Sequence, residues 1–491
     1  MKKLIKEIKN YHPNHAFLIL YLYIPIVVAS LIPYKVLDND RFFLLTLGRN
    51  ILNNGFPKVD PLSMHGASFI AQQWLSDIIF YTIYKYFGNV GLVILTYILF
   101  GLMIYLFYRL CNLVNKNKYT LSTILTLTFS GIYLMAFLRS RPQLFEASIL
   151  IEELYLLEKY ISTKEKKYFY YLPLLSLLMI NIHASCFFIM FAFMLPYLLN
   201  FKTKFTNYEK YEIKPLIITT IVMFLTGFIN PYGYKSITYL FHSYGYKEID
   251  RLVLEMNPLT LNNYLGYILF ALVIIIVFIY IFLRKKLKLR YIFLFLGTLF
   301  LSLSHIKGIQ YFLFASIFPL GDVLSNYFIS NNSKMSGNTK VYYYIVLLIM
   351  ILLPIVNLII RNDYPSGESE PTRILEYLNE NVEDKESIKI YTDYNTGGFF
   401  EFYGYKVYLD PRAEVFLENG VLLEYNKVES GLLNYDEFLD KYDFDYLVVD
   451  GGNVFTRQYL ITSRNTKYRV VLTDITDEKK QVGYNLYEKV S

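Results

Sequence analysis

Asp38 and Asp40 stand two residues apart in the stretch Leu37-Asp38-Asn39-Asp40-Arg41, just beyond a first apolar run. Paired carboxylates in such a place suit general-base work on a hydroxyl, or the holding of a hard divalent cation. The plainer alternative is a solvated interfacial loop with a helix capped by Asp40. Arg139 and Arg141 bracket a serine at the start of another apolar run. Guanidinium groups grip phosphate oxygens in bidentate fashion, so a lipid phosphate at the interface is a natural ligand. An ion pair with Glu146, or anchoring to ordinary headgroups, competes with that reading. His183, His305 and Lys307 mark further helix ends. A lone histidine is more often structural than functional, whereas the His305/Lys307 pair suits a second anion contact. Glu255 either faces the same site or faces solvent. No two histidines have the spacing of a zinc-binding helix, so no zinc is expected, and no other cofactor is indicated.

In the C-terminal region, Asp393-Tyr394-Asn395-Thr396-Gly397-Gly398 and Asp410-Pro411-Arg412-Ala413-Glu414 stand out. The glycine pair permits close backbone approach, and Asp/Arg after a strand could contact a sugar, although structural roles weigh more heavily. Gly451-Gly452 is not a dinucleotide fingerprint, and no nucleotide site follows from it.

These residues must be placed by a membrane-embedded scaffold. Of the 491 residues, 54% are hydrophobic, and 49 Tyr and 39 Phe are present. With a mean hydropathy of +0.32, the chain carries more apolar surface than a soluble protein of this size can cover. Tyrosine suits membrane–water interfaces, where a ring and its hydroxyl meet different solvents. Apolar runs long enough to span, or nearly so, begin near Ala16, Val90, Thr120, Gln143, Tyr168, His183, Pro215, Tyr264, Tyr291, Ile306 and Val341. The segment Gln73–Gly88 is short and carries Trp74, Asp77 and Lys85. Laid along the membrane surface, it brings the basic clusters at Lys2–Lys9, Arg109–Lys118, Lys164–Lys167, Lys202–Lys210, Arg284–Arg290 and Lys334–Lys340 to one side. Crossing the membrane, it would scatter them. The positive-inside rule therefore selects the surface-lying reading.

The expected fold is a polytopic all-α membrane protein of about eleven transmembrane helices, with a juxtamembrane helix in the first outer loop and a C-terminal extracytoplasmic α/β domain. The N-terminus is cytoplasmic, and the first apolar run is an uncleaved span because no small-x-small cleavage site follows it. Residues 1–362 form the transmembrane domain with its outer loops, and residues 363–491 form the small domain. In that domain a helix is expected over Thr372–Val382 and another over Tyr435–Lys441. Strands are expected at Ile388–Tyr391, Val407–Leu409, Tyr446–Val449, Tyr468–Leu472 and Tyr484–Val490. Cys111 and Cys186 both lie in apolar runs, so no disulfide framework is indicated.

In their order along the chain, several motifs resemble the GT-C superfamily of membrane glycosyltransferases, particularly bacterial members of the protein-mannosyltransferase and aminoarabinose-transferase group. They are Asp38-x-Asp40, the Gly48-Arg49 and Asp60-Pro61 elements, Gln72-Gln73-Trp74-Leu75, Arg141-Pro142-Gln143, Asn230-Pro231-Tyr232-Gly233, and Gly397-Gly398 with Leu409-Asp410-Pro411-Arg412. The resemblance implies inverting transfer of a sugar from a polyprenyl-phosphate carrier to an extracytoplasmic acceptor: a cell-wall polymer, a glycolipid or a protein. It assigns the base to Asp40, with Asp38 as rival, and the carrier phosphate to Arg139, Arg141, His305 and Lys307. Relatives often carry a second acidic residue where this chain has Arg139-Ser140-Arg141, which argues against a metal-bridged site. The expected setting is the bacterial plasma membrane, with the bilayer as partner and no nucleic acid. A lipid or polysaccharide transporter, or a non-catalytic envelope-assembly protein, are the competing classes. A transporter calls for polar residues buried mid-span and a path to both sides.

Overall fold

The computed structural model describes residues 20–31, 36–204, 206–243, 246–283, 286–326, 370–477 and 482–490. The chain packs as two compact units. One holds residues 1–33, 93–240 and 255–363, and the other holds 34–92, 241–254 and 364–491. Residues 36–92 and 241–254 thus belong to the same unit as the C-terminal domain.

The first unit is helical. Its helices include Ile24–Leu31, Tyr119–Ala136, Gln143–Thr163, Tyr171–Ile182, Phe187–Leu198, Lys214–Thr226, Tyr264–Leu283, Leu289–Ser304 and Ile309–Leu324, together with most of the long helix Trp74–Val114. Among the described residues, three helices are long and apolar enough to cross a membrane: Trp74–Val114, Tyr119–Ala136 and Tyr264–Leu283. Others are shorter; the 12-residue helices Tyr171–Ile182 and Phe187–Leu198 reach only about 18 Å each at 1.5 Å per residue. The apolar run at Val341 lies outside the described residues. Several polar side chains inside the bundle are matched. Thr126 and Ser130 return their hydroxyls to carbonyls one turn back, as buried hydroxyls in apolar helices do. Arg290 donates Nε to Glu158 Oε1 at 2.8 Å.

Trp74–Val114 is interrupted at Gly88, whose φ of 60° and ψ of −156° are non-helical. Glycine takes this conformation without a Cβ penalty. The break falls where the expected juxtamembrane segment meets the run beginning near Val90.

In the second unit, Asp40–Asn54 and the first part of Trp74–Val114 are joined by an irregular loop. Gly48 allows their contact, because a Cβ there would lie 2.2 Å from the Asp77 carbonyl oxygen. The C-terminal part carries a four-stranded sheet in the order β1-β2-β4-β3: β1 is Ile390–Thr392, β2 Tyr446–Asp450, β3 Tyr468–Asp477 and β4 Val482–Lys489. β1 pairs parallel to β2, with Tyr391 opposite Leu447, and the other pairs are antiparallel. Helices Thr372–Asn381, Val421–Glu429 and Tyr435–Tyr442 pack with it. The expected strand Val407–Leu409 does not form. Val407 makes only isolated bridges, to Ile390 and to Ser63, and the following Asp410-Pro411 diverts the chain: proline has no N–H to extend a ladder. Gly397 and Gly398 open a short helix, Gly397–Phe402.

Candidate functional site

Arg139 and Arg141 lie on the segment between helices Tyr119–Ala136 and Gln143–Thr163. Pro142 pre-forms the start of the second helix, so the arginines project from a fixed corner. Lys307 lies on the one-turn helix Ile306–Gly308. Two backbone bonds tie that turn to the preceding loop: Leu259 N donates to Leu303 O at 3.2 Å and Ile306 N to Asn257 O at 3.0 Å. They bring Glu255 alongside. Arg139, Arg141, Lys307 and Glu255 line one small cleft of about 30 Å³, with Gln143, Glu146 and Gln310. Arg141 Nη1 stands 4.0 Å from Glu255 Oε1.

Glu146 lies in this cleft wall but faces inward, and is buried. Tyr311 donates to its Oε1 at 2.6 Å and Gln310 Nε2 to the same oxygen at 3.3 Å. Its Oε2 is 3.1 Å from His183 Nδ1. Glu146 is thus engaged by His183, and Glu255 stands beside Arg141. Three cations and two carboxylates, one of them engaged by histidine, share this cleft.

Of the expected anion-binding residues, Arg139, Arg141 and Lys307 come together. His183 lies behind Glu146, and His305 is absent from the residues lining the cleft. Gln310, Tyr311 and Cys186 were not singled out. A buried carboxylate one turn into an apolar helix was the available signal for Glu146, since intramembrane acids mark functional or paired positions.

In the second unit, Asp38 and Asp40 differ sharply. Asp38 is buried, and its carbonyl accepts Arg41 Nη1 at 3.1 Å. Arg41 also pairs with Glu370 and lies 4.3 Å over the Phe42 ring. Asp40 occupies the first turn of Asp40–Asn54 and is half-exposed. The cap position falls on Asn39, without a side-chain capping bond, so the expected capping role of Asp40 is not what forms. Its charge instead favours the positive end of the helix dipole.

The Asp410/Arg412 pair does not present itself to a sugar. Arg412 is buried. It donates Nε to Asp410 Oδ1 at 2.9 Å and Nη1 to Asp60 Oδ1 at 2.6 Å, with Glu401 Oε1 at 3.7 Å. Burial alone would raise the Asp60 carboxyl, but the charge and hydrogen bonds of Arg412 hold it below the usual carboxylate range. Burial, then the charge of Asp410, holds the Glu401 carboxyl well above that range. A single guanidinium thus joins the first loop to the C-terminal motif. Gly48-Arg49 is structural as well: Arg49 Nη2 donates to the Phe402 carbonyl at 2.8 Å.

No family model and no curated protein matches this chain. Among solved structures, it is similar to the archaeal oligosaccharyltransferase AglB from Archaeoglobus fulgidus, solved in complex with an inhibitory peptide and a dolichol-phosphate. The TM-score is 0.57 at 13% identity, over 88% of this chain and 69% of that one. The likeness shows that this chain shares the fold of that structure. It is a multi-pass membrane protein.

Proposed function

We propose that this protein is a membrane glycosyltransferase that takes a sugar from a polyprenyl-phosphate carrier and passes it to an extracytoplasmic acceptor, a cell-wall polymer, glycolipid or protein. The observation that carries the reading is the cleft in which Arg139, Arg141 and Lys307 converge. Phosphate oxygens gain charge as the carrier departs, and cations already in place stabilise that charge without reorganising. The fold shared with a protein whose solved complex contains a dolichol-phosphate supports the same donor class.

Asp40 acts as the general base that takes the acceptor hydroxyl proton, and inversion follows from direct attack. Its partial exposure favours it over Asp38, which is buried. The N-terminus is cytoplasmic and the C-terminal domain extracytoplasmic, in the bacterial plasma membrane; the distribution of basic residues supports that orientation.

The test is release of polyprenyl phosphate by purified protein given a panel of polyprenyl-phosphate sugars and membrane-derived acceptors. Release by the wild type that Arg141→Ala and Asp40→Asn suppress supports the reading. No release with any donor from folded protein rules it out.

A further inference from the structure

We propose that Glu146, His183 and Cys186 form a binding site for one thiophilic divalent cation of the zinc class. Their ligating atoms lie within 4.8 Å of one another, and all three residues are buried. Glu146 comes from the first turn of Gln143–Thr163. His183 and Cys186 come from the tight turn that joins Tyr171–Ile182 to Phe187–Leu198. The site goes beyond the glycosyltransferase reading and does not depend on it.

The geometry argues for the ion in two ways. His183 Nδ1 is 3.1 Å from Glu146 Oε2 and 3.4 Å from Cys186 Sγ. Bonds of about 2.0 Å to nitrogen or oxygen and about 2.3 Å to sulfur, at tetrahedral angles, separate ligand atoms by about 3.3–3.6 Å. Both observed separations lie close to those edges. Moreover, both contacts end on the same ring nitrogen. Nδ1 carries either one proton or one lone pair, so it cannot serve a carboxylate and a thiol equally well, whereas a cation at the point of convergence bonds all three groups.

Charge and donor type agree. A thiolate, a carboxylate and a neutral imidazole around a divalent cation form a neutral cluster, the arrangement that least penalises burial among apolar helices. Sulfur and imidazole donors select zinc-class ions over magnesium or calcium, which prefer oxygen alone. Tyr311 and Gln310 hold Glu146 by Oε1 and leave Oε2 turned to the site, the kind of outer support that orients metal ligands. His183–Cys186 has an x-x spacing, but the third ligand lies 37 residues before the histidine. That separation leaves no local motif for this site in the chain.

The test uses the full-length protein in detergent, equilibrated with zinc and freed of loosely bound metal. About one zinc per chain is expected. His183→Gln and Cys186→Ser each lower retention more than about tenfold, and Tyr311→Phe weakens affinity about 10- to 100-fold. Cys111→Ser, the other buried cysteine, keeps the metal. Because a variant can fail to fold, wild-type protein is also loaded with cobalt(II). A thiolate-to-cobalt charge-transfer band, together with metal protection of Cys186 but not Cys111 from alkylation in mildly denaturing detergent, supports the site. Absence of saturable zinc and of that band in the wild type overturns it, as does full metal retention by folded Cys186→Ser.

Discussion

Arg412 donates to Asp60 across 352 residues of chain, with Nη1 2.6 Å from Oδ1, and both groups are buried. Removing one member of a buried, hydrogen-bonded ion pair leaves the other charge desolvated and unpaired. Arg412→Ala is therefore expected to destabilise the second unit by about 3–5 kcal/mol. Asp60→Asn acts in the same direction. Thermal unfolding of the full chain in detergent, followed by near-UV dichroism, checks both; unchanged unfolding would show that the pair contributes little.

The same cluster sets a pH dependence. Asp60 is held below its usual range by Arg412 against the opposing effect of burial. Its stabilising contribution is present above the unfolded carboxyl value, about pH 4, and is lost as pH falls through the folded value. Glu429 is pushed up to about 7, chiefly by burial. In the folded state it keeps its proton where the unfolded chain has lost it, so stability falls as pH rises from about 4.5 toward 7. Glu429→Gln flattens that slope. Unfolding midpoints measured from pH 4 to 8 for the wild type and Glu429→Gln test this.

Gly48→Ala places a methyl where the Asp77 carbonyl oxygen would be only 2.2 Å away. Helices Asp40–Asn54 and the start of Trp74–Val114 must separate to admit it. The expected loss is about 1–3 kcal/mol, read as a lower unfolding temperature.

Asp38 and Asp40 are expected to separate experimentally. Asp40→Asn lowers turnover by about 10²- to 10⁴-fold, the range for a lost general base, with little change in stability. Asp38→Asn acts mainly on stability, because Asp38 is buried. Carrier-phosphate release assayed beside thermal unfolding distinguishes the two; equal turnover by Asp40→Asn and wild type would remove Asp40 from the chemistry.

Each cation of the cleft is expected to act on donor binding. A hydrogen bond to a charged group contributes about 1.5–3 kcal/mol. Arg141→Ala and Lys307→Ala should therefore each lower kcat/KM about 10- to 100-fold. Glu255→Gln, which frees Arg141 from its 4.0 Å partner, is expected to lower KM for the donor. Steady-state kinetics over a range of salt concentration provide the measurement.

By itself, the sequence determined the membrane class, the polar C-terminal domain and most of its elements. These follow from runs of apolar residues and from local periodicity, which depend only on neighbours in the chain. Trp74–Gly88 was separable from the span after it because glycine and a cluster of polar residues mark the break locally. Arg139 and Arg141 stand out in the sequence because two arginines oppose the expected charge pattern, and both line one cleft. Tertiary structure alone decided the partners. Asp410-Pro411-Arg412 carries no local sign of its partner Asp60, which lies far away in sequence. Val407–Leu409 reads as a strand until the path into that cluster leaves it only isolated bridges. Glu146 belongs to one apolar run and His183 and Cys186 to another, and nothing local announces that the two sets meet. Buried charges find their partners through packing between elements, and that packing leaves no periodic trace in the chain.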